Sequence, residues 1–182
     1  DSQSSSQIGD ISRFKGMNLI TPTEHEARIS TRNHEDGLVI LAEQLRKQSF
    51  AENILLKMGE EGLLIHVGHE NFDNWLTDRI IALNSAPKDV SGAGDSLLIT
   101  SAMTLACGGD IWESSFLGSL AASIQVGRVG NTPIQLKEII EEFGLYSYKT
   151  DKITGDILPV IVDKNQHYID ALRYSLEQYI KS

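Results

Sequence analysis

Eight residues, Asp89-Val90-Ser91-Gly92-Ala93-Gly94-Asp95-Ser96, constrain this chain more than any others. They follow a short apolar segment, Arg79 to Leu83, and open a long one, Leu97 to Cys107. That order reads as strand, tight glycine loop, helix. Gly92 and Gly94 carry no Cβ, so the backbone can turn sharply and a ligand can come close to it. The loop amides and the first unpaired N–H groups of the helix then point outward together, and the helix dipole favours negative charge there. Asp95 stands at the mouth of this pocket. A carboxylate would repel an anion, so Asp95 is better explained as a general base that takes a proton from a hydroxyl attacking a phosphate. The plainer alternative is a first-turn aspartate favoured by the dipole, after an ordinary glycine turn. The loop alone favours the plainer reading; the rest of the chain shifts the balance.

The chain has 182 residues, enough for one domain with or without an appendage. Its net charge of −9 and the absence of any lysine- or arginine-rich patch exclude nucleic acid as an expected partner. An acidic protein that binds an anionic nucleotide needs local help from backbone amides or Mg²⁺. Cys107 is the one cysteine, which excludes an internal disulfide and a cysteine-based zinc site. A reducing, cytoplasmic home is expected, with Cys107 a small core residue. No apolar run approaches a membrane span, and no signal peptide is visible. The polar start, Asp1-Ser2-Gln3-Ser4-Ser5-Ser6, reads as the interior of something longer.

In chain order, Met17 to Thr21 is an expected strand stopped by Pro22. Thr23 caps the next helix, and Glu26, three residues on, completes a capping box. His25 is expected in solvent. Glu35 to Gln48 is an amphipathic helix, with Leu38, Leu41, Ala42 and Leu45 at helical spacing. Asn53 to Met58 is a buried strand, Gly59 to Gly62 a tight turn, and Leu63 to Val67 the returning strand. His66 and His69 read as an exposed hairpin tip. Trp75 to Thr77 and Arg79 to Leu83 read as two short strands. Gly94 to Cys107 is apolar on most sides and therefore expected to be buried. Ile111 to Val129 should pack through Phe116, Leu117, Leu120, Ala121 and Ile124, and Pro133 should open a helix to about Phe143. Residues 144–182 form a separate extension, with an apolar run from Ile157 to Val162 and a last helix carrying Ile169, Leu172, Leu176 and Ile180.

Three segments stand in one order: Thr23-Glu24-His25-Glu26-Ala27, Lys57-Met58-Gly59-Glu60-Glu61-Gly62, and the glycine loop. Together they resemble the ribokinase, or PfkB, family of carbohydrate kinases, over the C-terminal half of such a kinase, residues 1–143. Gly9-Asp10-Ile11-Ser12-Arg13-Phe14-Lys15-Gly16 is similar to a segment of bacterial heptose-phosphate kinases.

The resemblance implies an α/β fold, a three-layer sandwich around a mostly parallel sheet. It implies that Asp95 is the catalytic base and that the amides of Gly92, Ala93 and Gly94 form the anion hole. Gly59 and Gly62 would lie against ATP, and Ser119 would flank the adenine. Asp89 would position the loop near a monovalent cation. Glu26 would organise water around Mg²⁺ and phosphate. Thr23 stands where the family usually has asparagine, and Lys57 where it usually has threonine or serine. A lysine at 57 could meet a phosphate directly.

In this family the sugar-binding residues and lid come mainly from an N-terminal half that has no counterpart here. The acceptor is a sugar or sugar phosphate, and the exposed sheet edge would be covered by the missing half, a partner chain or a second copy. The alternative is a non-catalytic, kinase-derived binding or assembly module. A flavodoxin-like or Rossmann dinucleotide binder is a weak third reading, since there is no G-x-G-x-x-G after the first strand and no Walker G-K-[ST].

Overall fold

The computed structural model describes residues 9–68, 75–135, 137–139, 148–150 and 157–161. The expected terminal helix, residues 136 and 140–143 of the expected 133–143 helix, and His69 lie outside the described residues.

Strand β2 (Asn53–Lys57) is the centre of the fold. Its three middle residues, Ile54, Leu55 and Leu56, are wholly buried, so the strand is covered on both faces. Side chains alternate across a strand, and the two cores alternate with them. Ile54 and Leu56 face Ile20, Ala27, Leu41, Ala42 and Leu45. Leu55 faces Leu63, Ile65 and Leu97. Each such leucine or isoleucine stabilises the fold by about 1.5–3 kcal/mol. The result is a layered sandwich, with helices α1 (Glu24–Thr31) and α2 (Leu38–Ser49) on one side of the sheet. Helices α3 (Ala93–Ala106) and α4 (Ile111–Val126) serve the other side.

Strand β1 (Leu19–Ile20) runs parallel to β2; β3 (Leu63–Gly68) and β4 (Trp75–Ile80) follow antiparallel. The described sheet is therefore mixed, in the order β1-β2-β3-β4. A second, two-stranded sheet pairs β5 (Tyr148–Thr150) with β6 (Ile157–Ile161). The capping box at α1 forms as expected: the Glu26 amide donates to Thr23 Oγ1 at 3.2 Å, and the Thr23 amide donates to Glu26 Oε2 at 2.7 Å. His25 is exposed, also as expected.

Four expectations are corrected. The two short strands before the loop are one continuous edge strand, β4, because cross-strand pairing with β3 carries through Asp78. Cys107 is exposed, since it caps the end of α3 rather than facing the core. Helix α3 buries Leu97 and Ser101 but leaves Ile99 and Met103 about 60% exposed. It meets α4 through small residues: Ser101 Oγ donates to the Ser114 carbonyl and Ser114 Oγ to the Ser101 carbonyl, each at 3.0 Å. Gly118 lies at this crossing, where a Cβ would collide with Ser101. The helices therefore touch through Ser114 and Gly118 more closely than through the larger apolar residues of α4.

His66 is the fourth correction. It is fully buried, not a hairpin tip. Its Nε2 lies 2.8 Å from Glu43 Oε2 and its Nδ1 3.0 Å from Thr77 Oγ1. Arg46 binds the same carboxylate through Nε at 2.7 Å and Nη2 at 3.0 Å. Burial alone would raise the Glu43 carboxyl, but hydrogen bonds from Arg46 and His66 outweigh it and hold it at about 2. Burial pushes the His66 imidazole below its usual value, against the pull of Glu43.

Both groups titrate lower in the folded chain than in the unfolded one. Their stabilisation is complete above neutrality, falls as pH drops below about 6.5 through His66, and falls again from about 4.5 towards 2 through Glu43. Glu43→Ala leaves Arg46 buried without its counter-charge and should cost about 3–5 kcal/mol. Urea titrations between pH 2.5 and 8 would check this. The variant should start lower and lose the slope below pH 4.5; an unchanged slope would count against the assignment.

Candidate active site

The predicted residues gather where parallel strands β1 and β2 end, opposite the start of α3. The Lys57 amide donates to the Pro22 carbonyl at 2.8 Å, and Thr23 forms an isolated parallel bridge with Lys57. These backbone links put Lys57 beside the cap of α1. Glu26 is buried there, its Oε2 also accepting from Thr23 Oγ1 at 2.9 Å. Burial lowers the pKa of the half-buried Lys57 ammonium, and the charges of Glu26 and Asp95 oppose that shift. Glu26, Lys57 and Asp95 therefore share one electrostatic neighbourhood, although they come from α1, β2 and α3.

Asp95 is exposed in the first turn of α3. Gly92 caps this helix with φ at 77°, a conformation that favours glycine, and its Hα side faces Asn131 so closely that a Cβ would collide with it. The Ser96 amide donates to the Gly92 carbonyl at 2.9 Å, closing the first turn. The Ala93 amide donates to the Val90 carbonyl at 3.2 Å, so it is already engaged. The amides of Gly92, Gly94 and Asp95 have no acceptor among the described residues. They are the donors with capacity for an anion.

The loop is held from α4. Asp89 accepts the Ser91 amide through Oδ1 at 2.9 Å and the Gly130 amide through Oδ2 at 3.0 Å. These hydrogen bonds, the Ser91 one first, lower its pKa. Buried Gln125 works in the opposite sense: its Nε2 donates to the carbonyls of Ser91 at 3.1 Å and Gly130 at 3.2 Å. The Lys88 amide donates to the Val126 carbonyl at 2.7 Å, and Asn84 Nδ2 to the Ser123 carbonyl at 3.0 Å. Sequence reasoning named Asp89 but missed Gln125, Asn84 and Asn131. A glutamine inside the apolar run of α4 was the available signal.

The other predicted residues stand further back. Gly59 and Gly62 bracket a 3₁₀ turn two residues beyond Lys57, with φ values of 63° and 94°. Gly62 lies against the backbone of Ile80 to Ala82, with no room for a Cβ. Ser119 is buried in the middle of α4.

Among the described residues no group of three or more His, Cys, Asp or Glu side chains could cage a metal. Mg²⁺ would therefore fit only as an ion held largely by the phosphates of a ligand, with Asp95 and Glu26 as the nearby carboxylates. A monovalent cation beside Asp89 fits poorly. The carbonyls it would gather already accept from the Gln125 amide, and both Asp89 oxygens accept from backbone N–H groups.

The layered fold is that of the ribokinase-like sugar kinases. Ribokinase from Thermotoga maritima matches it with a TM-score of 0.60 at 24% identity, over 71% of this chain and 43% of that one. Escherichia coli phosphofructokinase-2, solved in complex with potassium, matches with a TM-score of 0.61 at 17% identity, over 73% and 42%. The model of the pfkB family carbohydrate kinases matches residues 2–137, and the chain belongs to that family. It is 30% identical over 138 residues to the bifunctional protein HldE of Geotalea uraniireducens, which covers 74% of this chain and 27% of that protein. The chain thus spans about a quarter of the length of the curated relatives it matches. Among the described residues no helix is long and apolar enough to cross a membrane.

Asp89→Ala removes the acceptor for two amides. Hydrogen exchange at Ser91 and Gly130 should accelerate and Tm should fall, whereas the wild type should lose this support only below about pH 3.8, where Asp89 protonates. Unchanged exchange at both amides would show that Asp89 does not hold the loop.

Proposed function

We propose that this chain carries the catalytic base, the phosphate-binding loop and part of the nucleotide site of an ATP-dependent carbohydrate kinase. The observation that carries this reading is the meeting of exposed Asp95, the unengaged amides of Gly92 and Gly94, and the Lys57 ammonium at one end of the sheet. Asp95 takes the proton from an attacking sugar hydroxyl. The Gly92 and Gly94 amides and the α3 N-terminus stabilise negative charge on the transferring phosphoryl group. Lys57 offsets the repulsion between Asp95 and that charge. Mg²⁺ bound with the nucleotide would neutralise part of the phosphate charge. The remaining catalysis is positioning, as phosphoryl transfer requires.

The kinase portion is residues 1–143, with 144–182 appended, and Gly59, Gly62 and Ser119 line the nucleotide side. The acceptor is a sugar or sugar phosphate, nearest in type to the heptose phosphates. Its binding groups belong to the missing half, supplied by the same protein, a partner chain or a second copy. The cytoplasm, reducing and rich in ATP, suits this chemistry.

In the whole protein, Asp95→Asn should lower kcat roughly 10²–10⁴-fold. Tm should hold, because Asp95 is exposed, and ATP should bind at least as tightly, because a charge that repels phosphate is removed. Sugar-dependent ADP release and ATP titration calorimetry would be compared between wild type and variant. Equal turnover in both would remove Asp95 from the chemistry, and no sugar-dependent turnover in either would favour the binding-module reading.

A further inference from the structure

The loop that carries Asp95 is set by an arrangement that calls for a positive partner. Two backbone carbonyls, of Ser91 and Gly130, converge from different segments of the chain. Converging carbonyls repel one another, and their shared requirement is positive charge between them. A cation or a hydrogen-bond donor can meet it, and the Gly130 carbonyl also accepts from the Thr132 amide at 3.1 Å. Here the space between them is bridged by Nε2 of Gln125, at 3.1 and 3.2 Å. The two hydrogens of a carboxamide carry partial positive charge and point in two directions, which suits two acceptors.

Oxygen and nitrogen of a glutamine amide are told apart only by their neighbours. Here the neighbours are decisive. Arg128 Nη2 donates to Gln125 Oε1 at 3.2 Å, and a guanidinium has no acceptor to offer. Arg128 is itself held by Glu138, Nη1 to Oε1 at 3.0 Å. The Gln125 oxygen therefore faces Arg128 and its NH₂ faces the carbonyls. Gln125 is about 1% exposed, so water does not compete for this position. Asp89 completes the arrangement by accepting the amides of the same two residues.

We infer that the Gln125 carboxamide, oriented by Arg128, acts as a built-in substitute for a monovalent cation, so that the glycine loop is set without potassium. Gln125 is a positioning residue: it acts on Asp95 through Ser91 and the loop. The inference uses the kinase reading only for the purpose of the loop. Its readouts are cation-selective stability and loop protection rather than turnover, so it and the kinase reading can fail separately.

The test compares the full chain in potassium chloride and in tetramethylammonium chloride at equal ionic strength, since tetramethylammonium is too large to sit between carbonyls. Wild-type Tm should be the same in both salts. Gln125→Ala removes both hydrogen bonds to the carbonyls and the one from Arg128, and should lower Tm by about 4–8 °C in tetramethylammonium. Potassium should restore at least half of that loss. Gln125→Lys places a formal positive charge between the carbonyls; the amides of Ser91 and Gly130 should stay protected from hydrogen exchange in both salts. Selective stabilisation of the wild type by potassium would overturn the inference. So would a Gln125→Ala variant as stable as wild type, or one destabilised without recovery in potassium, which would show a packing role only. If Gln125→Ala does not fold, Gln125→Lys decides: protection at both amides supports the substitution of amide for cation, and loss of protection overturns it.

Discussion

Asp89 and Gln125 together engage both backbone polar groups of two residues, the N–H and C=O of Ser91 and the N–H and C=O of Gly130. One side chain only accepts and the other donates, so neither could replace the other. This pairing fixes the residue before Gly92, and Gly92 caps α3. The direction of α3, and hence the place of Asp95, follows from it. Helix α4 supplies the other fixed point, because Ser101 and Ser114 exchange hydrogen bonds across the α3–α4 crossing. A mobile glycine loop would lose the benefit of its preorganised amides, since catalysis by electrostatics depends on donors that need not move. The small residues of α4 make sense in these terms. They bring two helices close enough for backbone carbonyls to serve as partners.

How much of this was legible in the sequence depended on the range of each interaction. The capping box at Thr23 and Glu26 is local, and it formed as read. So did the buried β2, the Gly59–Gly62 turn and the opening of α3 at the glycine loop, each signalled within a few residues. Long-range pairings left no such trace. His66 looked like a hairpin tip because nothing near it in sequence shows that Glu43, on α2, supplies its partner. Gln125 looked like one polar residue in an apolar helix, because Ser91 and Gly130 reach it only in the folded chain. Helix α3 read as buried from its composition, yet Ile99 and Met103 are exposed: apolarity all round says that a helix tolerates cover, not which flank these layers cover.

Lys57 is the residue where sequence and structure most need one another. From the sequence alone, a carboxylate at the mouth of an anion pocket was a difficulty, and the base assignment for Asp95 removed it only in part. A phosphate near Asp95 would still meet its charge, in a chain whose net charge is already −9. The structure places a cation within the reach of both Asp95 and Glu26. Lys57 ends β2, directly after the wholly buried Ile54, Leu55 and Leu56. Burial lowers its pKa, and the two carboxylates counter that loss. In the proposed chemistry an incoming phosphate would reinforce them, so the bound anion and the ammonium would stabilise each other. A threonine at 57 could donate a hydrogen bond there but could not balance Asp95. Under the proposed function, the lysine would thus let one end of the sheet hold a base and an anion together, which neither the glycine loop nor the helix dipole would achieve alone.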